Sequence, residues 1–347
     1  METRCLPSTC ETIADAALLL SRGELVAFPT ETVYGLGADA LNEKAVLSIF
    51  AAKNRPADNP LIVHVSNREA LLPLCHITDK AAQLMDAFWP GPLTLLLKKK
   101  STVPDVTTAG LDTVAVRMPS HPVALALLDA CSCPVAAPSA NRSGRPSPTT
   151  AAHVLEDMAG RIPLIIDGGA SSVGLESTVV DMTSEIPLVL RPGGVTPEMI
   201  ASVVGSVKTA ASILKPLAPG EAAPSPGMRH RHYAPQGALT LVSGSATNVV
   251  KACTRLYDTA IHDGQTACIL ALSEHAGMYG TRYVIDIGSL HRHEEVASRL
   301  FDVLRRMDRE GITCIFSEVM DASGLGLAIM NRLGRAASFN FLKADEA

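Results

Sequence analysis

The sequence predicts a two-part α/β protein, and three features carry that reading: a chain of 347 residues, short apolar runs alternating with segments of helical period, and a Pro- and Gly-rich stretch between two such alternations. A chain of this length exceeds what one hydrophobic core usually fills, so two domains of unequal size are the default. Hydrophobic residues make up 47% and charged residues 19%, with a net charge of −5, which suits a compact chain in water rather than a disordered one. This acidic balance argues against a surface coated to grip nucleic acid, though it leaves room for one local basic cleft.

Near the N-terminus Glu11 and Asp15 interrupt the approach to a short apolar run at 16–20, against a signal peptide. No stretch nears the roughly 18 apolar residues a spanning helix needs, so a cytoplasmic protein with no membrane partner is expected. Apolar runs at 25–28, 61–65, 93–97, 113–116 and 164–166 read as strands, and helical spacing over 45–52, 80–88, 122–130 and 150–158 makes the first half α/β without an internal repeat. A second block begins near Gly237, with strands at 239–242, 267–271, 283–287 and 313–317 and a helix over 294–309, a βα repetition that favours a small parallel sheet. Between the blocks, residues 215–235 are too rich in Pro, Ala and Gly for a helix and read as an extended linker. The eight cysteines include no CxxC pair, and Cys131 with Cys133 is too tight for an ordinary zinc knuckle, so buried thiols and no metal site are expected.

Four clusters in the first half carry candidate chemistry. Residues 28–37, FPTETVYGLG, run from a strand into a polar, glycine-bearing turn, where Thr30 and Thr32 could meet a small ligand or simply close a strand exit. Lys53, Arg55, Asn59 and His64 follow a helix end, and the lysine point charge beside the arginine fork suits a phosphate as well as it suits a solvated patch. Thr113 and Arg117 lie on one strand; Arg117 either meets a carboxylate or covers the surface, while Ala137, Ser139 and Asn141 offer neutral donors and acceptors after the next strand. Ser147 opens a helix whose free amides favour an anion, and Ser177 and Arg191 belong to two more glycine-bearing turns. In the linker, Arg229, His230, Arg231, His232 and Tyr233 are more binding side chains than a tether needs, although a solvated basic turn has the same composition. The phosphate loop GxxxxGK[ST], a first-strand GxGxxG, HExxH and a GxSxG elbow are all missing, so standard nucleotide loops and a covalent acyl-enzyme have no support.

Taken in order, FPTETVYGLG (28–37), KNRPADNPLIVHV (53–65), FWPGPLTLLL (88–97), VAVRMPSHP (114–122), APSANRSGRPSPT (137–149), GLESTVVD (174–181), LRPGG (190–194) and SPGMRHRHYAP (225–235) resemble the YrdC family, in its longer two-domain threonylcarbamoyl-AMP synthase form. The resemblance implies a YrdC-like catalytic domain over 9–200, built on a twisted mixed α/β sheet with a concave basic face. It further implies a linker and active-site lid over 201–236 and a smaller Rossmann-like α/β domain over 237–342. It implies a catalytic tetrad of Lys53, Arg55, Ser139 and Asn141, all retained. L-threonine would meet Thr32, His64, Arg117, Ala137 and Ser177, and ATP would meet Arg55, Asn59, Thr113, Ser139, Ser147, Arg191 and, from the linker, Tyr233. Where the family commonly has Lys-Tyr-Arg-His-Tyr, this chain reads Arg229, His230, Arg231, His232, Tyr233, so one aromatic is exchanged for His230.

The implied activity is a nucleotidyltransferase reaction in which L-threonine, bicarbonate or CO2, and ATP give threonylcarbamoyl-AMP and pyrophosphate, with Mg2+ bound mainly through the ATP phosphates. The product would pass to a threonylcarbamoyl transferase of the TsaD type that modifies adenosine beside the anticodon of ANN-reading tRNAs, so that tRNA is an indirect or weak partner. Two other readings compete. A non-catalytic RNA-binding module would use the same cleft, although aromatics at 4% disfavour base stacking. A carbamoyl-transfer enzyme of hydrogenase maturation would need zinc-finger-like cysteine pairs that the chain lacks.

Overall fold

A computed structural model describes residues 1–215 and 233–346 and divides the chain into two compact units. Met1–Ser143 and Ser147–Ile213 fall in the first, and the remaining described residues fall in the second. Arg229, His230, Arg231 and His232, with most of the expected linker, lie outside the described residues.

The first unit opens with β1 (Arg4–Pro7), α1 (Cys10–Ser21), β2 (Val26–Phe28), β3 (Gly35–Asp39), α2 (Glu43–Lys53), β4 (Ile62–His64), α3 (Asp79–Phe88), β5 (Leu93–Lys98) and α4 (Asp105–Thr108). It continues through β6 (Thr113–Arg117), α5 (Pro122–Ala130), β7 (Val135–Ala136), α6 (Ala151–Met158), β8 (Leu164–Asp167), β9 (Thr178–Asp181), β10 (Leu188–Arg191), α7 (Pro197–Val204) and β11 (Lys208–Thr209). The helices start where side chains satisfy their first amides: Thr9, Asn42, Thr78, Thr150 and Thr196 each accept from a backbone N–H one turn in, and Pro122 and Pro197 fix the first helical residue of α5 and α7.

The eleven strands form one mixed sheet in the order β1-β8-β2-β3-β7-β4-β6-β5-β9-β10-β11. One face is covered by α1 and α5, which bury Leu20, Leu127 and Leu128 against Val26, Phe28, Leu164 and Ile166. A smaller apolar cluster joins Ile62, Leu96, Ala115, Val179 and Leu190 from the central strands. Here the register decides what meets: β4 runs parallel to β6 with His64 beside Arg117, and β5 runs antiparallel to β6 with Thr94 opposite Arg117. Register partners point to the same face, so Thr94, Arg117 and His64 stand in a row across three strands.

Three sequence expectations need correction. Residues 35–39 form a strand, not a turn, because Gly35 and Gly37 let β3 lie under the Phe28 ring; a Cβ on Gly37 would come within 2.9 Å of Phe28 Cε1 and Val135 Cγ1. The fold of the first unit also continues past 200: α7 crosses that position and β11 pairs in parallel with β10, so chain expected as linker from 201 is folded through Ile213. The cysteines are all free thiols, but only Cys75, Cys253 and Cys268 are buried, and Cys5 and Cys10 are exposed.

The second unit comprises β12 (Ala238–Ser243), α8 (Ala246–His262), β13 (Ala267–Ala271), β14 (Val284–Asp286), α9 (His293–Arg309), β15 (Cys314–Glu318), α10 (Leu325–Ala336) and β16 (Phe341–Lys343). Its strands lie in the order β14-β13-β15-β12-β16, and every pairing is parallel, as the βα repetition predicts. At the C-terminal end of β15 the buried Glu318 accepts from Tyr279 Oη at 2.5 Å and meets His275 Nδ1 at 2.7 Å.

Candidate active site

The site residues of the first unit fall into three hydrogen-bonded groups. In the first, α2 ends on Lys53, and Asn54, at φ 51°, turns the chain out of the helix in the left-handed region that asparagine tolerates. Lys53 is 3% exposed, and a buried ammonium must be hydrogen-bonded. It donates to the carbonyl oxygen of Ser139 and to that of Asn141 at 2.6 Å, with Asn141 Oδ1 at 3.5 Å. Ser139 Oγ in turn donates to Asn141 Oδ1 at 2.5 Å, and Ser139 bridges to Gly35 across the sheet. Lys53 is therefore a clamp on the 139–141 loop rather than the mobile point charge that the sequence suggested. Arg55 stands nearby, donating through Nη2 to the carbonyls of Asn59 at 3.1 Å and Pro60 at 3.3 Å, with its guanidinium 5.8 Å from the centre of the Phe50 ring. Asn59 is buried, and its Oδ1 accepts no hydrogen bond among the described residues.

Arg117 organises the second group. Its side chain is 4% exposed; Nη1 donates to Thr32 Oγ1 at 2.9 Å, Nε to the Gly91 carbonyl at 3.3 Å, and Nη2 lies 2.6 Å from Glu31 Oε1. Burial, the largest single influence, would raise the Glu31 carboxyl, but the Arg117 charge and hydrogen bond, together with the backbone amides of Glu31 and Ser120, outweigh it jointly and hold that carboxyl below the usual range. His64, beside Arg117 in register, is pushed down to about 3 by burial first and by the arginine charge second, so it is a neutral imidazole. Its Nδ1 lies 3.1 Å from the Ile62 carbonyl, and its ring meets Phe28 edge-on at 6.3 Å. Ala137 donates its backbone N–H to the same Ile62 carbonyl at 2.9 Å, which sets the 137–141 loop beside β4.

The third group lies across β5 and β9. Ser177 Oγ is 2.7 Å from Thr94 Oγ1, and Arg191 donates to Ser177 through Nε to the carbonyl at 3.0 Å and Nη2 to the hydroxyl at 3.2 Å. The turn after Arg191 must be glycine: a Cβ on Gly193 would sit 2.4 Å from Thr178 N and 2.6 Å from the Glu176 carbonyl. Ser147 Oγ donates to the buried Glu176 carboxylate. Thr113 shares the Arg117 face of β6 but lies four residues away, about 13 Å along the strand, at the Asn59–Pro60 end of β4. Tyr233 is built into the second unit, where its ring packs 5.2 Å from Phe301 and lies under Arg332 at 5.8 Å.

Sequence reasoning missed Glu31, Thr94 and Glu176, although each stands inside a quoted motif. For the two glutamates the usable signal was a carboxylate placed in an otherwise apolar or hydroxyl-bearing run, since a buried Asp or Glu needs a partner.

Residues 18–193 match the Sua5/YciO/YrdC family, described as telomere recombination, and residues 195–338 match the C-terminal domain of threonylcarbamoyl-AMP synthase. The chain belongs to the Sua5/YciO/YrdC family. Among its relatives in this family, a threonylcarbamoyl-AMP synthase of Pyrococcus abyssi is 46% identical over 94% of each chain. One of Bacillus subtilis is 47% identical over 94% of this chain and 92% of its own. A solved structure of P. abyssi Sua5 complexed with L-threonine superposes with a TM-score of 0.92 at 45% identity, covering 99% of both chains. Against relatives named as enzymes over nearly the whole chain, the non-catalytic RNA-binding reading falls away. Among the described residues, no helix is long and apolar enough to cross a membrane.

Proposed function

We propose that this protein is an L-threonylcarbamoyladenylate synthase, forming threonylcarbamoyl-AMP and pyrophosphate from L-threonine, bicarbonate-derived CO2 and MgATP. The observation that carries the reading is the Arg117 fork, buried between Thr32, Glu31 and the neutral His64 on the sheet face that also holds Thr94 and Ser177. Such a fork suits a carboxylate, and the P. abyssi relative is complexed with L-threonine. In this reading Thr32, His64, Arg117, Ala137 and Ser177 receive L-threonine, and Arg55, Asn59, Thr113, Ser139, Ser147 and Arg191 receive the nucleotide. Lys53, Arg55, Ser139 and Asn141 carry the catalysis, Lys53 by fixing the loop that presents Ser139 and Asn141.

The chemistry asks for positioning and charge neutralisation rather than a protein nucleophile. The amine nitrogen forms a bond to the carbon of CO2, one C=O π pair moves to oxygen, and the amine releases a proton. A carbamate oxygen then bonds to the α-phosphorus as the bridge to the β-phosphate breaks, and pyrophosphate leaves. Arg55 and Arg191 offset the phosphate charge, and MgATP is the substrate form, its metal bound through phosphate oxygens. The adenylate is a labile mixed anhydride, which fits hand-over to a separate threonylcarbamoyl transferase acting on tRNA in the cytoplasm.

The direct test incubates the purified protein with MgATP, labelled bicarbonate and a panel of amino acids, and measures pyrophosphate and labelled adenylate. Threonine-dependent release of both is expected. Pyrophosphate release that ignores the amino acid, or no label in the adenylate, would refute the assignment.

A further inference from the structure

Glu31 borders the Arg117 fork but has no substrate group assigned to it, and its surroundings are those of a receptor. Its side chain is 7% exposed, and neither carboxylate oxygen is accessible to solvent. Oε1 meets Arg117 Nη2 at 2.6 Å as a charge contact, and the Glu31 and Ser120 amides also act on the carboxylate, but among the described residues no contact to either oxygen has the alignment of a full hydrogen bond. An ionised carboxylate offers about four acceptor positions, and buried acceptors are nearly always used. Here that capacity is desolvated and only partly engaged, by Arg117 and by the looser approach of the Glu31 and Ser120 amides. Arg117 does not need Glu31 to stay in place, since Nη1 and Nε are held independently by Thr32 and the Gly91 carbonyl. Thr32 is itself fixed by Thr30 at 2.8 Å, so Nη1 is braced by a partner other than the carboxylate.

A free α-amino acid presents a carboxylate and an ammonium on one carbon. Arg117 and Glu31 present the complementary pair, a buried cation and a buried anion side by side. We propose that Glu31 is the acceptor for the α-ammonium of the amino-acid substrate, so that Glu31 and Arg117 together read the zwitterion and select substrates with a free α-amine. The inference rests on Arg117 being the carboxylate fork in the function proposed above. When the ligand enters, its two charges take one partner each; no net charge is added to the interior, which keeps the desolvation cost of binding a zwitterion low. The same contact leaves the nitrogen to be carboxylated at a fixed point beside the carboxylate anchor.

The test is isothermal calorimetry on the full-length protein with two ligands: L-threonine, and its counterpart bearing a hydroxyl in place of the α-amine. Wild type is expected to prefer threonine by about 30-fold, the size of a charge-assisted hydrogen bond in a desolvated site. Glu31→Gln is expected to bring that preference below about 3-fold while MgATP binding stays within about 3-fold of wild type, which shows the site intact. A Glu31→Gln protein that keeps the full preference overturns the proposal. Should that variant fail to fold, a crystal of wild type with L-threonine decides: the nitrogen within about 3.2 Å of a Glu31 oxygen supports the assignment, and a separation beyond about 4.5 Å overturns it. Wild type that synthesises the adenylate while Glu31→Gln discriminates normally refutes the role of Glu31 alone, whereas wild type that neither binds threonine nor releases pyrophosphate with it refutes both readings.

Discussion

His64 illustrates how a single side chain acquires its property from neighbours far away in sequence. Read locally it is a histidine inside an apolar strand, as consistent with a packed core residue as with a ligand contact. In the folded unit it is enclosed, with the Arg117 guanidinium beside it, and both effects oppose its protonation. The unfolded chain binds a proton near 6.5, while the folded site resists it down to about 3. Between those values only the unfolded state takes up the proton, so stability is full above pH 6.5 and falls with acidification by about 1.4 kcal/mol per pH unit from this residue. Urea unfolding between pH 4 and pH 7 is expected to show a shallower acid loss in His64→Gln than in wild type; parallel curves would remove His64 from that dependence. Candidate residues were legible at this scale because Arg117, Ser139, Asn141 and Ser177 are polar residues at or near strand ends. Their partners were not: Lys53 reaches Asn141 across 88 residues and Thr94 reaches Ser177 across 83, distances no local pattern encodes.

Among the elements, those with a clean period were readable. The helix expected over 122–130 is α5 as observed, and the strand expected over 267–271 is β13. What escaped was structure built on close backbone approach. β3 carries two glycines, which depress strand propensity, yet they are what allows it to pass beneath Phe28. The Gly193 turn follows the same logic, pressing against the backbone of 176–178 so that Arg191 can reach Ser177. Gly193→Ala has no flexible side chain to displace there, only main chain, and should cost more than about 2 kcal/mol. Thermal melts monitored by circular dichroism should show a lowered midpoint, together with weaker threonine binding, because Ser177 must shift. An unchanged midpoint would mean the turn relaxes freely.

For the molecule as a whole, the two-block reading came from one compositional break, and the strand directions of the second block came from βα alternation. The end of the first unit was not visible, since Thr196-Pro197 looks like one more turn until the helix after it is seen to continue to Val204. Two units with separate cores predict that unfolding is not a single all-or-none event. Glu318 tests this: it is 2% exposed, and replacing it by Ala strips Tyr279 and His275 of their partner, a loss of about 2–5 kcal/mol confined to the second core. Scanning calorimetry of Glu318→Ala should move one transition down and leave the other in place; a common shift of the whole profile would show that the units melt together.

The lysine clamp on residues 139–141 bears on the cost of ligand capture. Because a buried ammonium already ties down both carbonyls, that stretch gives up its conformational freedom when the chain folds, not when a nucleotide arrives. Ordering the loop is then no part of the association step, and Ser139 and Asn141 stand waiting in one arrangement for whatever lands beside them.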